Sequence, residues 1–286
     1  MIDGKRVVAW TPFGRRRTVS ILAEYIQREI ERGIIDEWWL CANTDPDQVE
    51  DIGYGMRLSM DFPHVIKWVE RDRRLPTLHP KQRNTGYFYR QMTDPDTVYV
   101  RFDDDIVFVA PDAVERLVRH RLQTQVGVAS FGLIWNNAIC SYYLQKHGVV
   151  PEALGLVARP YCMDEIGWAD GKFAVRMHHM LLDEIESGGD FDKLSLYQDV
   201  ALELGQQFSV SFFASLGSMY AGLAEPGVLN PHEEESWHTV HEPRRLGQPN
   251  VIVGNALVSH YSFFPQQRIL NATNILDRYR KVSENL

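Results

Sequence analysis

The sequence predicts an α/β fold, a central and mostly parallel sheet with helices on its faces. Three observations predict it. Short apolar, β-branched runs recur along the first part of the chain, amphipathic helical stretches separate them, and glycine-containing or charged turns follow them. Parallel neighbours in a sheet need a crossover, most often a helix, so this alternation is the pattern such a sheet leaves in a sequence.

Lys5–Trp10 is the first strand and Thr11–Arg17 the turn after it. Thr18–Gly33 places Val19, Leu22, Tyr25, Ile26 and Ile30 at helical spacing, with Gly33 as its stop. Asp36–Asn43 is the second strand, Asn43–Asp47 a loop, and His64–Glu70 the third strand. Lys81–Met92 reads as a helix and leads into the strand Thr97–Phe102. Beyond Asp103–Asp105 come the strand Ile106–Val109 and a helix with Pro111 in its first turn. Val126–Trp135 and Phe208–Gly217 are further strands, Asp170–Glu186 is a helix, and Pro265–Val282 is a closing helix. No repeat, low-complexity tract or long linker interrupts the chain, so residues 1–286 read as one domain, with a more regular half over 1–110 and a second half over 111–286.

With 44% hydrophobic and 24% charged residues over 286 positions, the chain can bury a large core without staples. A net charge of −8 argues against nucleic acid or an anionic membrane as a default partner. Two basic runs, Gly14–Arg17 and Arg71–Arg74, depart from that average locally. Cys41, Cys140 and Cys162 are odd in number and widely spaced, which indicates neither a zinc site nor a disulfide framework. No signal-like stretch or membrane-length apolar window is present, so a cytoplasmic location is expected.

The run Asp103–Asp104–Asp105 stands between the apolar segments Val98–Phe102 and Ile106–Val109. Adjacent carboxylates repel, and such clusters usually lie in solvated loops. At a strand end, alternation puts Asp103 and Asp105 on one side, where a hard cation such as Mn²⁺ or Mg²⁺ takes oxygen ligands. Asp104 is turned away from that ion and stays among the donor-binding candidates. In an open parallel sheet, ligands bind beyond the carboxyl ends of the strands. The turn after the first strand, the loop after the second and the acidic cluster all fall on that edge.

Val7–Asp47, His79–Val109 and Pro249–Gln267 together resemble the GT-A-fold glycosyltransferases of bacterial and viral type. The resemblance implies a GT-A-like domain whose Rossmann-like half, 1–110, binds a nucleotide sugar, while 111–286 binds the acceptor. It implies a D-x-D motif at Asp103 and Asp105, a metal (Mn²⁺ or Mg²⁺) that holds the donor diphosphate, and His260 as a further metal ligand. It also implies that Thr11, Pro12 and Phe13 line the nucleoside and that Asn43 and Asp45 lie near the base or ribose. Arg15, Arg16 and Arg17 allow two readings, a solvated run or a phosphate contact from at least one guanidinium, with Arg15 the candidate. Arg83 and Arg101 are further phosphate or acceptor candidates. Of the consecutive aromatics Tyr87, Phe88 and Tyr89, not all can face a core from one helix.

The expected reaction is transfer from a nucleoside diphosphate sugar, with a UDP-sugar favoured, to an unidentified acceptor such as a glycan. An inverting transfer needs a carboxylate to take the acceptor's proton. Related inverting enzymes carry acidic segments before the late histidine, and here Glu233–Glu235 occupy that place, with Glu234 preferred, Glu235 second and Asp199 in reserve. Two other functions stay open. A nucleotidyltransferase forming a nucleotide sugar normally has a glycine-rich basic loop after its first strand, and Thr11–Thr18 has one glycine and one proline. A catalytically silent nucleotide- or sugar-binding protein is the alternative from another class. His178 and His179, adjacent in a helical run, diverge and read as structural.

Overall fold

Arg6–Phe13 forms β1, and seven of its eight residues are buried, as expected of a strand covered on both faces. The computed structural model describes residues 1–70, 85–124, 127–224 and 234–285. In these, α1 (Arg16–Glu31), β2 (Glu37–Ala42), α2 (Val49–Asp61) and β3 (Ile66–Val69) follow in turn, and β4 (Thr97–Phe102) and β5 (Ile106–Val109) flank the acidic run. Then come α3 (Ala113–Gln123), β6 (Ser130–Trp135), α4 (Ala138–Lys146) and α5 (Gly171–Glu186), and the strands β7 (Val200–Ala201), β8 (Phe212–Leu216) and β9 (Val251–His260).

All nine strands of the described residues belong to one sheet, ordered β3-β2-β1-β4-β8-β6-β9-β5, with β7 pairing β9. The pairs β2–β3, β1–β2, β1–β4 and β6–β9 are parallel, while β8 runs antiparallel to β4 and β6, and β5 and β7 run antiparallel to β9. Six strands therefore share one direction, and only β5, β7 and β8 oppose them. The expected central, mostly parallel sheet flanked by helices is what the chain forms.

The order reverses at β1. The chain moves outward to β2 and β3, then returns to place β4 on β1's other side. Such a switch point opens a crevice beyond the carboxyl ends of the two strands. β9 shares β4's direction, so its last residue, His260, reaches the same edge, opposite Ile106 in the β5 register. Close approach at Gly132 allows β6 and β8 to pair, because a Cβ there would meet the Phe212 ring at 2.2 Å.

Several expectations need correction. β1 continues through Thr11, Pro12 and Phe13, which pair with β2 and are not a turn. Of the expected helix Lys81–Met92, Lys81–Asn84 lie outside the described residues, and Thr85–Gln91 is a 3-10 segment. Tyr87, Phe88 and Tyr89 are all buried there, because this segment is covered on more than one side. Tyr89 packs edge-on to Trp10 at 5.0 Å and against Tyr220 at 4.9 Å. Pro111 precedes α3, whose N-cap is Asp112 in the left-handed region. The closing helix is two pieces, Gln267–Leu270 and Ile275–Ser283. Among the described residues, no helix is long and apolar enough to cross a membrane.

Candidate active site

The backbone of the acidic run is fixed before its side chains are considered. Asp103 N–H donates to Ser211 O at 2.8 Å, Ile106 N–H to Asp103 O at 3.1 Å, and Tyr261 N–H to Asp105 O at 2.9 Å. Asp103 thus leaves the end of β4, and Asp104–Asp105 form the turn into β5. This turn, rather than the strand alternation expected, brings Asp103 and Asp105 to one side.

Ligating atoms of Asp103, Asp105 and His260 lie within 4.8 Å of one another. His260 Nε2 stands 3.1 Å from Asp105 Oδ1. Ligands about 2.1 Å from an octahedral cation lie about 3 Å apart when adjacent and about 4.2 Å when opposite. Two carboxylates and an imidazole gathered this closely could hold one hard-to-borderline divalent ion, as Mn²⁺ or Mg²⁺ would be. Burial opposes charge on His260, but Asp105 outweighs it and holds the imidazole above its ordinary pKa. Nδ1 of the same ring is buried with no hydrogen-bond partner among the described residues. The ring packs against Phe263 at 4.5 Å.

Behind His260, Asn136 adopts φ 62 at the end of β6, a conformation asparagine tolerates better than most residues. Its Nδ2 donates to His260 O at 3.3 Å, Tyr261 O at 3.2 Å and Gln266 Oε1 at 3.0 Å. A side chain with no sequence signature thereby holds the backbone of the candidate ligand. A small polar residue just beyond an apolar strand was the only available hint.

Of the three consecutive arginines, one faces the acids. Arg15 Nε lies 3.1 Å from both oxygens of Asp104, its Nη2 also binds Asp104, and Nη2 reaches Asp105 Oδ2 at 3.1 Å. Burial would push the Arg15 pKa down, but Asp105 and Asp104 outweigh it and hold it above the ordinary value. Arg16 pairs with Glu50 at 3.2 Å, and Arg17 binds Asn271 and lies over the Tyr261 ring. Glycine at 14 gives Asp104 its room, since a Cβ there would lie 3.0 Å from Asp104 Oδ2. Asp104 is therefore the partner that orients Arg15.

Glu234 and Glu235 open a short helical turn, Glu234–Ser236. The buried Glu234 carboxylate accepts from Tyr89 Oη at 2.6 Å and from Arg101 Nη1. Arg101, buried over the Trp10 ring at 5.1 Å, gives Nε and Nη2 to Asp103 Oδ1 at 3.1 and 2.7 Å. Glu235 has no such cation among the described residues. It accepts from Gln207 Nε2 at 2.6 Å, and burial raises its pKa against that bond, helped by the neighbouring Glu234 charge.

Other sequence candidates sit elsewhere or do other work. Thr11 is fully buried and accepts the Trp38 indole N–H at 3.0 Å, Pro12 is buried, and Phe13 packs edge-on to Trp68 at 5.5 Å. Asn43 donates its backbone N–H to Phe13 O at 3.0 Å, at the same sheet edge, and Asp45 is exposed in the following loop. Arg83 and Glu233 lie outside the described residues, as do Arg71–Arg74. Asp199 accepts from Gly254 N at 2.9 Å, near the start of β9 and so at the opposite end of that strand from His260. His178 binds Tyr279 Oη at 2.9 Å and Tyr261 O at 2.8 Å inside the core, the structural place expected for it.

No protein-family model matches the chain. No curated protein matches it either. Among solved structures, it is similar to CMP:2-keto-3-deoxy-manno-octonic acid synthetase complexed with CTP, at 10% identity over 98% of this chain and 99% of that one, with a TM-score of 0.46. It is also similar to glucosyl-3-phosphoglycerate synthase from Mycobacterium tuberculosis in complex with Mn²⁺, UDP and phosphoglyceric acid. There the identity is 17% over 65% of this chain and 66% of that one, with a TM-score of 0.34. Both scores are too low to bear on this chain's chemistry.

Proposed function

We propose that this chain is a metal-dependent glycosyltransferase that moves a sugar, with inversion, from a nucleoside diphosphate sugar to an acceptor hydroxyl, with UDP the first nucleotide to test. The observation that carries the reading is the convergence of Asp103, Asp105 and His260 within 4.8 Å at the carboxyl edge of the sheet, beside the β1/β4 switch point. The motif resemblance over Val7–Asp47, His79–Val109 and Pro249–Gln267 supports it. Asp103, Asp105 and His260 would hold Mn²⁺ or Mg²⁺, which supplies Lewis-acid neutralisation of charge on a leaving diphosphate.

The chain's own residues do the rest. Arg15, already at the rim of the carboxylates, adds a planar cation suited to phosphate oxygens. Glu235 is the base, a reversal of the order expected from sequence. Arg101 and Tyr89 both occupy Glu234 Oε1, so this buried side chain is committed to anchoring Arg101. Glu235 keeps a raised pKa and no counter-ion contact among the described residues. The acceptor oxygen forms its bond to the anomeric carbon as the bond to the diphosphate oxygen breaks. UDP departs with that electron pair, and the acceptor proton passes to Glu235.

Incubation with UDP-sugars, simple glycosides and Mn²⁺ tests this, with products followed by NMR. Free UDP with an inverted anomeric centre is expected. Pyrophosphate from UTP and a sugar phosphate would replace this reading with a nucleotidyltransferase, and no turnover of either kind would leave a binding protein.

A further inference from the structure

The segment Val157–Asp164 lies beside Glu235 and is held at three points. At its start, Gln145 accepts from Val157 N at 2.9 Å and donates to Gly155 O at 2.6 Å. At its end, Asp164 accepts from Ile166 N at 2.9 Å and Gly167 N at 3.0 Å. In the middle, Gln206 Nε2 donates to Pro160 O at 2.9 Å, and the next residue, Gln207, is the one bonded to Glu235. The Glu235 carboxylate is near enough to help raise the Cys162 thiol, after burial.

A loop pinned this firmly nonetheless exposes two large side chains, Tyr161 at 40% and Met163 at 47%. Single exposed apolar residues are ordinary and carry no meaning. Here the aromatic is paired with a cation. The exposed Arg159 guanidinium lies 5.1 Å from the Tyr161 ring centroid, and it makes no ion pair among the described residues. Arg159 covers one side of the ring, and a guanidinium so placed keeps its N–H edge for an anion. An aromatic face beside an uncommitted arginine suits a ligand with an apolar ring face and a negative group.

We infer that Arg159 and Tyr161 form the acceptor subsite, and that the acceptor is an anionic sugar whose ring packs on Tyr161 while its carboxylate or phosphate pairs with Arg159. This rests on reading Glu235 as the base, since the loop is tied through Pro160 to Gln206, the neighbour of the residue bonded to Glu235. It gives a reason for a rigid, polar-anchored loop to hold an aromatic and a bare cation toward solvent at this place.

Binding of glucose, glucuronate and glucose 6-phosphate, titrated by calorimetry or saturation-transfer NMR with and without UDP and Mn²⁺, tests the inference. Glucuronate or glucose 6-phosphate is expected to bind at least about tenfold more tightly than glucose, the scale of one charge-assisted contact. The two anions separate a carboxylate source from a phosphate source. Arg159→Met should erase that preference, and Tyr161→Ala should weaken all three sugars. Both side chains are exposed, so neither change removes core packing. Equal affinity for the three sugars, or no effect of Arg159→Met, overturns the subsite. So does an equal loss of UDP–Mn²⁺ affinity in both variants, which would assign the ledge to the donor. If the wild type ignores UDP–Mn²⁺ but still prefers the anionic sugars, the transferase reading fails, and Arg159 and Tyr161 stand as an anionic-sugar site but not as an acceptor subsite.

Discussion

Arg101 joins Asp103 to Glu234, with Nε and Nη2 on the first and Nη1 on the second. One buried cation on β4 therefore fixes a candidate metal ligand and the helical turn that carries the candidate base. Its stacking on Trp10 and the Tyr89 bond to Glu234 complete the enclosure. Removing one member of a buried ion pair strands the other, at about 3–5 kcal/mol. Arg101→Met is expected to destabilise on that scale in urea unfolding, while Arg101→Met with Glu234→Gln recovers part of the loss. Additive losses in the double variant would contradict the pairing.

The two glutamates should separate under conservative change. Glu235→Gln is expected to lower turnover at least about 10²-fold while UDP and metal affinity persist. Glu234→Gln keeps a hydrogen-bonding partner for Tyr89 and should cost turnover less. The pH profile adds a second readout. A base works when deprotonated, so turnover rises with pH through the Glu235 pKa, and burial places that rise above the usual glutamate range. A profile whose acid limb is unchanged by Glu235→Gln would assign the limb to another group.

Asn136 offers a test of how His260 is held. Asn136→Gly keeps the left-handed φ but deletes the one amide nitrogen that serves three buried acceptors, at about 1–3 kcal/mol for groups left unsatisfied. Mn²⁺ binding, followed by electron paramagnetic resonance, should weaken as well, because the His260 backbone loses its clamp. A variant that loses stability yet binds Mn²⁺ as the wild type does would make Asn136 purely structural.

How much of this was legible in the sequence follows from what each element buries. β1, β2, β4 and α1 are apolar runs or stripes covered by the core, so their periodicity survives in the sequence. α2 was missed because only Gly55 of its thirteen residues is buried, which leaves no stripe to read. The acidic run was legible because charge directly after an apolar strand is conspicuous, whereas His260 was picked out only through the resemblance. The choice between Glu234 and Glu235 was not, since it depends on which carboxylate Arg101 reaches from β4. The choice among Arg15, Arg16 and Arg17 likewise depends on where α1 begins relative to Asp104. The Arg159–Tyr161 pair gave no periodic signal at all.

Buried imidazoles set the acid stability. Burial pushes His178 down to about 4 and His238 down to about 3. An unfolded histidine titrates near 6.5, so below that pH the unfolded chain binds protons that the native one refuses. The stability is fully present above about pH 6.5 and declines as pH falls toward the folded values, by roughly 3 kcal/mol or more per histidine. Urea unfolding at pH 7, 6 and 5 should show the decline, and His178→Gln should make it shallower, leaving the His238 part. Stability that is level across this range would contradict neutral burial of both rings.

On the proposed reading, Asp103, Asp105 and His260 form one cation site that recruits a nucleoside diphosphate. Calorimetric titration with UDP in Mn²⁺ and again in EDTA tests it most directly. UDP binding is expected to require the metal, to be abolished by Asp103→Asn or Asp105→Asn, to be weakened by His260→Ala, and to be less affected by Asp104→Asn, which releases Arg15 only. UDP binding of equal strength with and without metal, or no UDP binding in either condition, would contradict it.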